Sequence, residues 1–124
     1  YNTWPLMGSN YFPNDNKFIN LFNFEAFSDP SLVQFMHRNL AYLTLFFYIF
    51  ILIKIYINKL KSFYFSINTL GIFLLIQIIL GILTVINGAQ IILASMHQIT
   101  SIFLVSSSIY FLYLNSGTIQ RPLN

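Results

Sequence analysis

The chain divides into a polar and aromatic beginning followed by long apolar runs. Residues 62–120 contain no Asp, Glu, Lys or Arg. One membrane span needs ~20 predominantly apolar residues, so this stretch is long enough for two spans and a turn. Polar residues 87–90 lie near its middle. We therefore predict helices over residues 68–86 and 91–114, joined by a short turn.

An earlier apolar run predicts a first span. Residues 40–57 are interrupted only by Lys54, whose long side chain can extend to the membrane surface. Upstream, Ser28, Asp29 and Pro30 form a helix-starting pattern, a capping residue followed by a proline in the first turn. This helix is therefore predicted to begin near Ser31. The expected fold class is an all-α membrane protein with three transmembrane helices in residues 31–124, preceded by a loop segment over residues 1–30.

Composition supports a membrane protein and excludes several functions. Charged residues make up 7% of the 124 residues, against about 25% in soluble domains. The absence of Cys excludes a disulfide framework and a cysteine nucleophile. Six basic residues are too few for a nucleic-acid surface. Phe, Tyr, Ile and Asn are frequent while Gly, Ala, Arg and Pro are rare; this bias is typical of an AT-rich genome, such as that of an organelle or an endosymbiont.

The charges predict an orientation in the membrane. Lys54, Lys59 and Lys61 surround the first turn, and Arg121 follows the third span, so three spans put all four on one side. Residues 1–30 instead carry three acidic residues and one lysine. The positive-inside tendency then predicts the N-terminal segment outside and the C-terminus inside.

Two histidines are the candidates for redox or metal chemistry. His37 and His97 lie on the first and third spans, which run in the same direction. Each is six or seven residues into its helix, so both are predicted ~10 Å from the outer helix ends. Two imidazoles facing each other at one depth match a bis-histidine haem, with one axial nitrogen on each face of the iron. A metal ion alone would require three or four ligands.

The neighbouring side chains are small, which leaves room for a porphyrin edge. Ala94 and Ser101 share the helical face of His97, and Ala41 shares that of His37. Arg38 at the outer end of the first span is a candidate partner for a haem propionate. Gln34, three residues before His37, is either a helix-end polar residue or a hydrogen-bond partner inside the site.

Structural explanations for both histidines stay open. His37 followed by an arginine near a helix start is compatible with ordinary interfacial polarity. His97 lies inside a span, where an ionisable side chain is costly and is usually functional. A packing role for His97, with a hydrogen bond to Gln77 or Thr84, is the alternative.

Four blocks of sequence resemble haem A synthase, in the order and spacing of that family. They are residues 1–8 (YNTWPLMG) with Phe12-Pro13, residues 33–38 (VQFMHR) with Ala41-Tyr42, residues 77–85 (QIILGILTV) and residues 93–98 (LASMHQ). The family fold is two pseudo-symmetric four-helix bundles, and its reaction oxidises a methyl group of haem O to the formyl group of haem A.

The resemblance places this chain in the second bundle, as three helices of a four-helix bundle. It implies that His37 and His97 are the axial ligands of one b-type haem and its iron. The haem-binding residues would then be His37 and His97, surrounded by Gln34, Arg38, Ala41, Ala94 and Ser101. No catalytic residue is expected in this chain, because the glutamate-containing helix of the first bundle is absent. At the corresponding position, three residues before His37, this chain has the amide of Gln34 where that helix has a carboxylate.

Three functions remain open at this point, one of which is a free-standing b-type electron carrier. The first is the C-terminal, haem-binding part of a haem A synthase, an oxidoreductase supporting cytochrome c oxidase biogenesis, with the missing helices supplied by other membrane protein chains. The alternative is a non-catalytic haem-binding or structural subunit of a respiratory-chain complex, such as cytochrome c oxidase or a supercomplex. Expected partners are membrane lipid and those chains, with no nucleic acid. The expected location is the mitochondrial inner membrane, organelle-encoded, or alternatively a bacterial plasma membrane.

Overall fold

The computed structural model describes residues 1–119, apart from the side chains of Glu25, Thr118 and Ile119. Three long helices dominate it: α1 (Pro30–Ile57), α2 (Tyr64–Ile86) and α3 (Ile91–Ile119). Each is long and apolar enough to cross a membrane. Short 3-10 helices precede α1 (Phe18–Phe22 and Phe24–Phe27) and α2 (Lys61–Phe63). The three predicted spans and the all-α fold class are confirmed.

Local sequence accounts for the start of α1. The Asp29 carboxylate accepts hydrogen bonds from the backbone N–H groups of Ser31 and Leu32, both at 2.9 Å. Pro30 follows as the first helical residue, where its missing N–H costs nothing because that position has no intrahelical partner. The predicted capping pattern therefore sets the helix start.

The turn between α2 and α3 lies where the polar break predicted it. Asn87 ends α2, and Gly88 and Ala89 adopt positive φ of 66° and 57°. Their N–H groups donate back to the carbonyls of Val85 (3.2 Å) and Thr84 (2.8 Å), which satisfies helix-end acceptors. This tight reversal returns α3 alongside α2.

Two helix ends differ from the prediction. α2 begins at Tyr64 rather than near Asn68, because Phe63 and Ile67 pack against Ile55 of α1 in a small buried cluster. α3 continues to Ile119 rather than ending near Leu114. Polar residues there extend the helix because an apolar environment favours backbone groups bonded within the helix.

The helices pack unevenly. α2 lies along α3 over much of its length, α1 contacts α2 less, and α1 and α3 barely touch. Most large apolar side chains point outward, and almost no residue of the most hydrophobic part of each helix is buried. Such a surface is incompatible with water, and the chain is a membrane protein.

The N-terminal segment, residues 1–29, folds over the first turns of α1. The buried Arg38 guanidinium donates to the backbone carbonyls of Thr3 (2.6 Å), Pro5 (3.2 Å) and Leu6 (3.0 Å). Met7 is fully buried beneath this segment. One arginine therefore satisfies three carbonyls that the segment's irregular backbone leaves unpaired.

A second contact joins the segment to α1 through a carboxylate. The Ser31 hydroxyl donates to Asp15 at 2.6 Å, and the Tyr1 hydroxyl donates to the same side chain at 3.0 Å. The Ser31 hydrogen bond is the main reason why the pKa of Asp15 lies below its ordinary value.

This contact predicts an acid-dependent release of the segment. Because the folded pKa of Asp15 is lowered, its stabilisation is present above the unfolded value of about 3.9 and is lost as pH falls through the folded pKa. We expect Ser31→Ala to raise the pKa of Asp15 and to move the acid transition to higher pH. Fluorescence of Trp4, the single tryptophan, followed against pH measures this transition. Ser116→Ala, at the far end of α3, is the control, and an unchanged midpoint in Ser31→Ala would contradict the assignment.

Candidate functional site

The structure brings the two histidines together. His37 lies in the second turn of α1 and His97 in the second turn of α3, and the two helices run in the same direction. Their ring centroids are 6.2 Å apart, with the ring planes at 78°. Residues 60 positions apart in the chain therefore face each other at one depth.

This separation is close to that of two imidazoles bound to one iron. A ligating nitrogen would lie about 2 Å from the metal and about 1.1 Å from its ring centre, so two such rings would have centroids about 6.2 Å apart. The near-perpendicular planes are compatible with this arrangement because each ring can rotate about its own iron–nitrogen axis. In the described part of the chain, no three His, Cys, Asp or Glu side chains lie close enough together to hold a metal ion.

Residues of α2 contact the ring of His97 and position it. Gln77 and Gly81, four residues apart on one face of α2, both contact the ring. The Gln77 Nε2 atom is 3.2 Å from His97 Nε2. A Cβ atom at Gly81 would lie 3.1 Å from His97 Cε1, tighter than an ordinary contact. Any larger residue at position 81 would therefore require the imidazole to shift by at least a few tenths of an ångström.

Two polar atoms at this contact lack partners. His97 Nδ1 and Gln77 Oε1 are buried without a hydrogen bond among the described residues. A buried polar atom without a partner costs about 1–3 kcal/mol. The hydrogen bond to Gln77 that a packing role would require is present, but it leaves one ring nitrogen of His97 unsatisfied.

Comparison with known proteins identifies the family. A family profile described as cytochrome oxidase assembly protein matches residues 1–109. The chain is 45% identical over 117 residues to the heme A synthase of Pelagibacter ubique, covering 94% of this chain and 34% of the relative. It is 42% identical over 123 residues to the heme A synthase of Rickettsia prowazekii, covering 94% of this chain and 35% of the relative. The chain belongs to the haem A synthase family.

A third relative extends the match. The heme A synthase of Wolbachia pipientis is 38% identical over 122 residues, which cover 95% of this chain and 32% of the relative. The chain thus spans about a third of the length of these curated haem A synthases. No solved structure matches it.

The small residues predicted beside the histidines lie on α1 and α3, three or four positions from His37 or His97. Ala41, Ala94 and Ser101 are half-buried. The Ser101 hydroxyl donates to the carbonyl of Gln98 at 2.6 Å, so it is directed to its own helix. His37 itself is exposed on the open side between α1 and α3. The role of these small residues beside a haem stays a prediction.

Gln34 and Arg38 contact the N-terminal segment. Gln34 Nε2 donates to the backbone carbonyl of Tyr1 at 2.8 Å, and the two terminal nitrogens of Arg38 bond the carbonyls described above. Both residues therefore hold the segment against the turn of α1 that carries His37. The pairing of Arg38 with a propionate stays a prediction.

Sequence reasoning missed the role of Gly81 and the anchoring role of Arg38. For Gly81, the spacing of four from Gln77 was the available signal that one face of α2 contacts His97. For Arg38, the signal was the absence of an acidic residue nearby in the sequence, which leaves backbone carbonyls as acceptors.

Proposed function

We propose that this chain is the C-terminal, b-type-haem-binding part of a haem A synthase, with His37 and His97 as axial ligands. The observation that carries the proposal is the pair of imidazoles 6.2 Å apart on parallel spans. Family membership supports a haem-related role, since the matched relatives are named heme A synthases. The proposed role is in haem A biosynthesis.

Different side chains of this chain would have different roles in holding a haem. His97 is oriented by Gln77 and fixed against Gly81, and His37 is placed by the turn of α1 that Arg38 anchors. Ala41 and Ala94 keep the adjacent space clear of larger side chains. A haem held by His37 and His97 would supply one-electron transfer.

The oxidation of haem O is proposed for the whole enzyme and not for this chain alone. The chain spans a third of its relatives' length, and we assign none of its residues a catalytic role. The open side between α1 and α3 exposes His37 and adjacent apolar residues such as Leu40, which is 62% exposed. We propose that helices from the rest of the protein, or from other chains of a respiratory assembly, cover this side and complete a four-helix bundle.

The test is the haem content of the assembled protein. The chain is produced together with the remaining two thirds of the enzyme, purified in mild detergent and assayed by pyridine haemochrome and electron paramagnetic resonance. We expect one low-spin b-type haem per copy of this chain. An assembled, helical preparation that contains no haem, or only high-spin haem, would exclude the axial pair and favour a structural subunit.

We also propose that the N-terminal segment faces outside and the α1–α2 turn inside, in a mitochondrial inner membrane or a bacterial plasma membrane. The AT-rich composition bias is compatible with both, since organelle and endosymbiont genomes share it. The orientation rests on Lys54, Lys59 and Lys61 at one end of the spans and Asp15, Glu25 and Asp29 at the other.

The orientation predicts opposite labelling of two cysteine variants. Asp15→Cys is expected to react with a membrane-impermeant maleimide added from the outside, whereas Lys59→Cys is expected to react only after the membrane is opened. Both positions are exposed, and the chain has no other cysteine. The reverse labelling pattern would overturn the proposed orientation.

A further inference from the structure

The two short 3-10 helices of the N-terminal segment expose a set of large apolar side chains, called here the apolar face. Its members are 63–94% exposed: Phe18, Ile19, Phe22, Phe24 and Phe27. Residues 18–24 contain no Asp, Glu, Lys or Arg. Large exposed apolar patches on a protein surface mark sites that contact another protein or a membrane, so the apolar face is a candidate interaction surface.

The polarity of this part of the segment is inverted relative to a protein surface in water. Asn20 is half-buried, and its Nδ2 donates to Asn16 at 3.2 Å. Asn16 Nδ2 in turn donates to Asp29, the capping residue of α1, at 3.2 Å. The small side chain of Ala26 is buried, whereas the phenylalanines on both sides of it in the second 3-10 helix are exposed. Polar and small side chains thus face the protein and large apolar ones face away, as expected next to a non-aqueous neighbour.

The segment reaches α1 on the side that points away from the histidine pair. Phe12 packs on Phe35 of α1 with ring centroids 5.1 Å apart, and Phe18 packs on Phe12 at 5.9 Å. Phe35 lies two residues before His37, so it is about 160° away from His37 around the helix. The helix proposed to cover the open side beside His37 therefore lies on a different side of α1.

The same side of α1 continues into the membrane as exposed apolar surface. Tyr42, Phe46 and Ile53 are 38%, 63% and 49% exposed, and their spacing from Phe35 is close to whole helical turns. The 28 residues of α1 extend about 42 Å, whereas the hydrocarbon core of a bilayer is about 30 Å thick. The outer turns of α1, and the segment folded on them, therefore lie at the membrane boundary.

We propose that the apolar face inserts into the adjoining leaflet of the membrane, with its side chains among the lipid acyl chains just below the headgroups. Lipid is favoured over a protein partner because the face continues the membrane-exposed side of α1. Lys17 precedes the face and is exposed, and its long side chain can extend to the headgroups. Insertion would hold the segment over the turn of α1 that carries His37. The inference does not depend on the proposed haem.

The test measures the surroundings of a nitroxide spin label in the assembled protein, reconstituted into phosphatidylcholine bilayers with the label on its only cysteine. Phe24→Cys is the main variant, because a side chain that is 94% exposed contributes little to folding. Its label, and that of Ile19→Cys, is expected to be more accessible to dissolved oxygen, which concentrates in lipid, than to a water-soluble nickel chelate. Asn14→Cys is the matched control in the same segment. Because Asn14 is exposed next to the Asp15 contact at the start of α1, its label is expected to show the reverse order.

The two reagents separate the possible neighbours of the apolar face. A label at position 24 that is accessible to the nickel chelate would show that the face lies in water and would overturn the proposal. An immobilised label that neither reagent reaches would show that a protein chain covers the face, which would also overturn it.

A measurement on the unmodified sequence avoids any effect of the cysteine substitutions. A phospholipid with a photoreactive group near the start of its acyl chain is added to the assembled protein, and the crosslinked residues are mapped by mass spectrometry. We expect crosslinks within residues 18–27 as well as on the exposed side of α1 that carries Phe46. Crosslinks on α1 with none in residues 18–27 would contradict insertion.

Discussion

Replacing His97 by alanine is expected to abolish the low-spin haem spectrum of the assembled protein. The substitution leaves the iron with at most one axial nitrogen, from His37. It also leaves Gln77, which contacts the ring of His97 at 3.2 Å, without that partner. Losing an outer partner of a metal ligand costs roughly 10–100-fold in affinity, so losing the ligand itself should lower haem retention by more than about 100-fold. Haem content per chain and the electron paramagnetic resonance spectrum measure the effect.

The same outcome is expected for His37→Ala, because the two rings share one iron in the proposed site. Gln98→Ala, at the exposed position next to His97, is the matched control and should keep the wild-type spectrum. Gln34→Ala should alter the haem surroundings without removing the haem, since Gln34 bonds the backbone of Tyr1. If His97→Ala keeps a low-spin haem with the wild-type spectrum, His97 is not a ligand.

Gly81→Leu is expected to displace His97 and to remove the haem by a steric route. A Cβ atom alone would lie 3.1 Å from His97 Cε1, so a leucine requires the imidazole to move. Overpacking of this kind costs typically about 1–3 kcal/mol, and a small misplacement of an axial nitrogen breaks its bond to iron. Haem content and the low-spin signal should fall sharply, with Gly81→Ala intermediate.

Two other glycines separate this effect from general destabilisation. A Cβ atom at Gly117 would meet nothing within 4 Å, so Gly117→Leu should be nearly neutral. A Cβ atom at Gly71 would overlap the Tyr48 hydroxyl, and Gly71 is roughly 15 Å from Gly81 along α2. Gly71→Leu should therefore lower stability while the folded fraction keeps its low-spin haem. Equal haem loss in the Gly71 and Gly81 variants would show that helix packing, not the position of His97, is responsible.

The apolar pattern of the chain determined the number of spans and most of their bounds. An uncharged stretch as long as residues 62–120 has to place its backbone groups in helices, because a membrane offers them no water. The cap at Asp29 and the break at residues 87–90 are local signals, and each is satisfied by hydrogen bonds within a few residues. The equal depth of His37 and His97 follows from the helical rise alone.

Only the tertiary structure decided which side chains meet. Arg38 and Gln34 bind carbonyls of residues more than 30 positions away, and Gly81 and Gln77 contact His97 from a different helix. The early start of α2 depends on Phe63 and Ile67 packing against α1. Hydropathy and capping patterns reflect interactions between residues that are close in the sequence. Which side chains of different helices contact each other depends on distances that arise only when α1, α2 and α3 pack. Local sequence patterns therefore cannot predict these contacts.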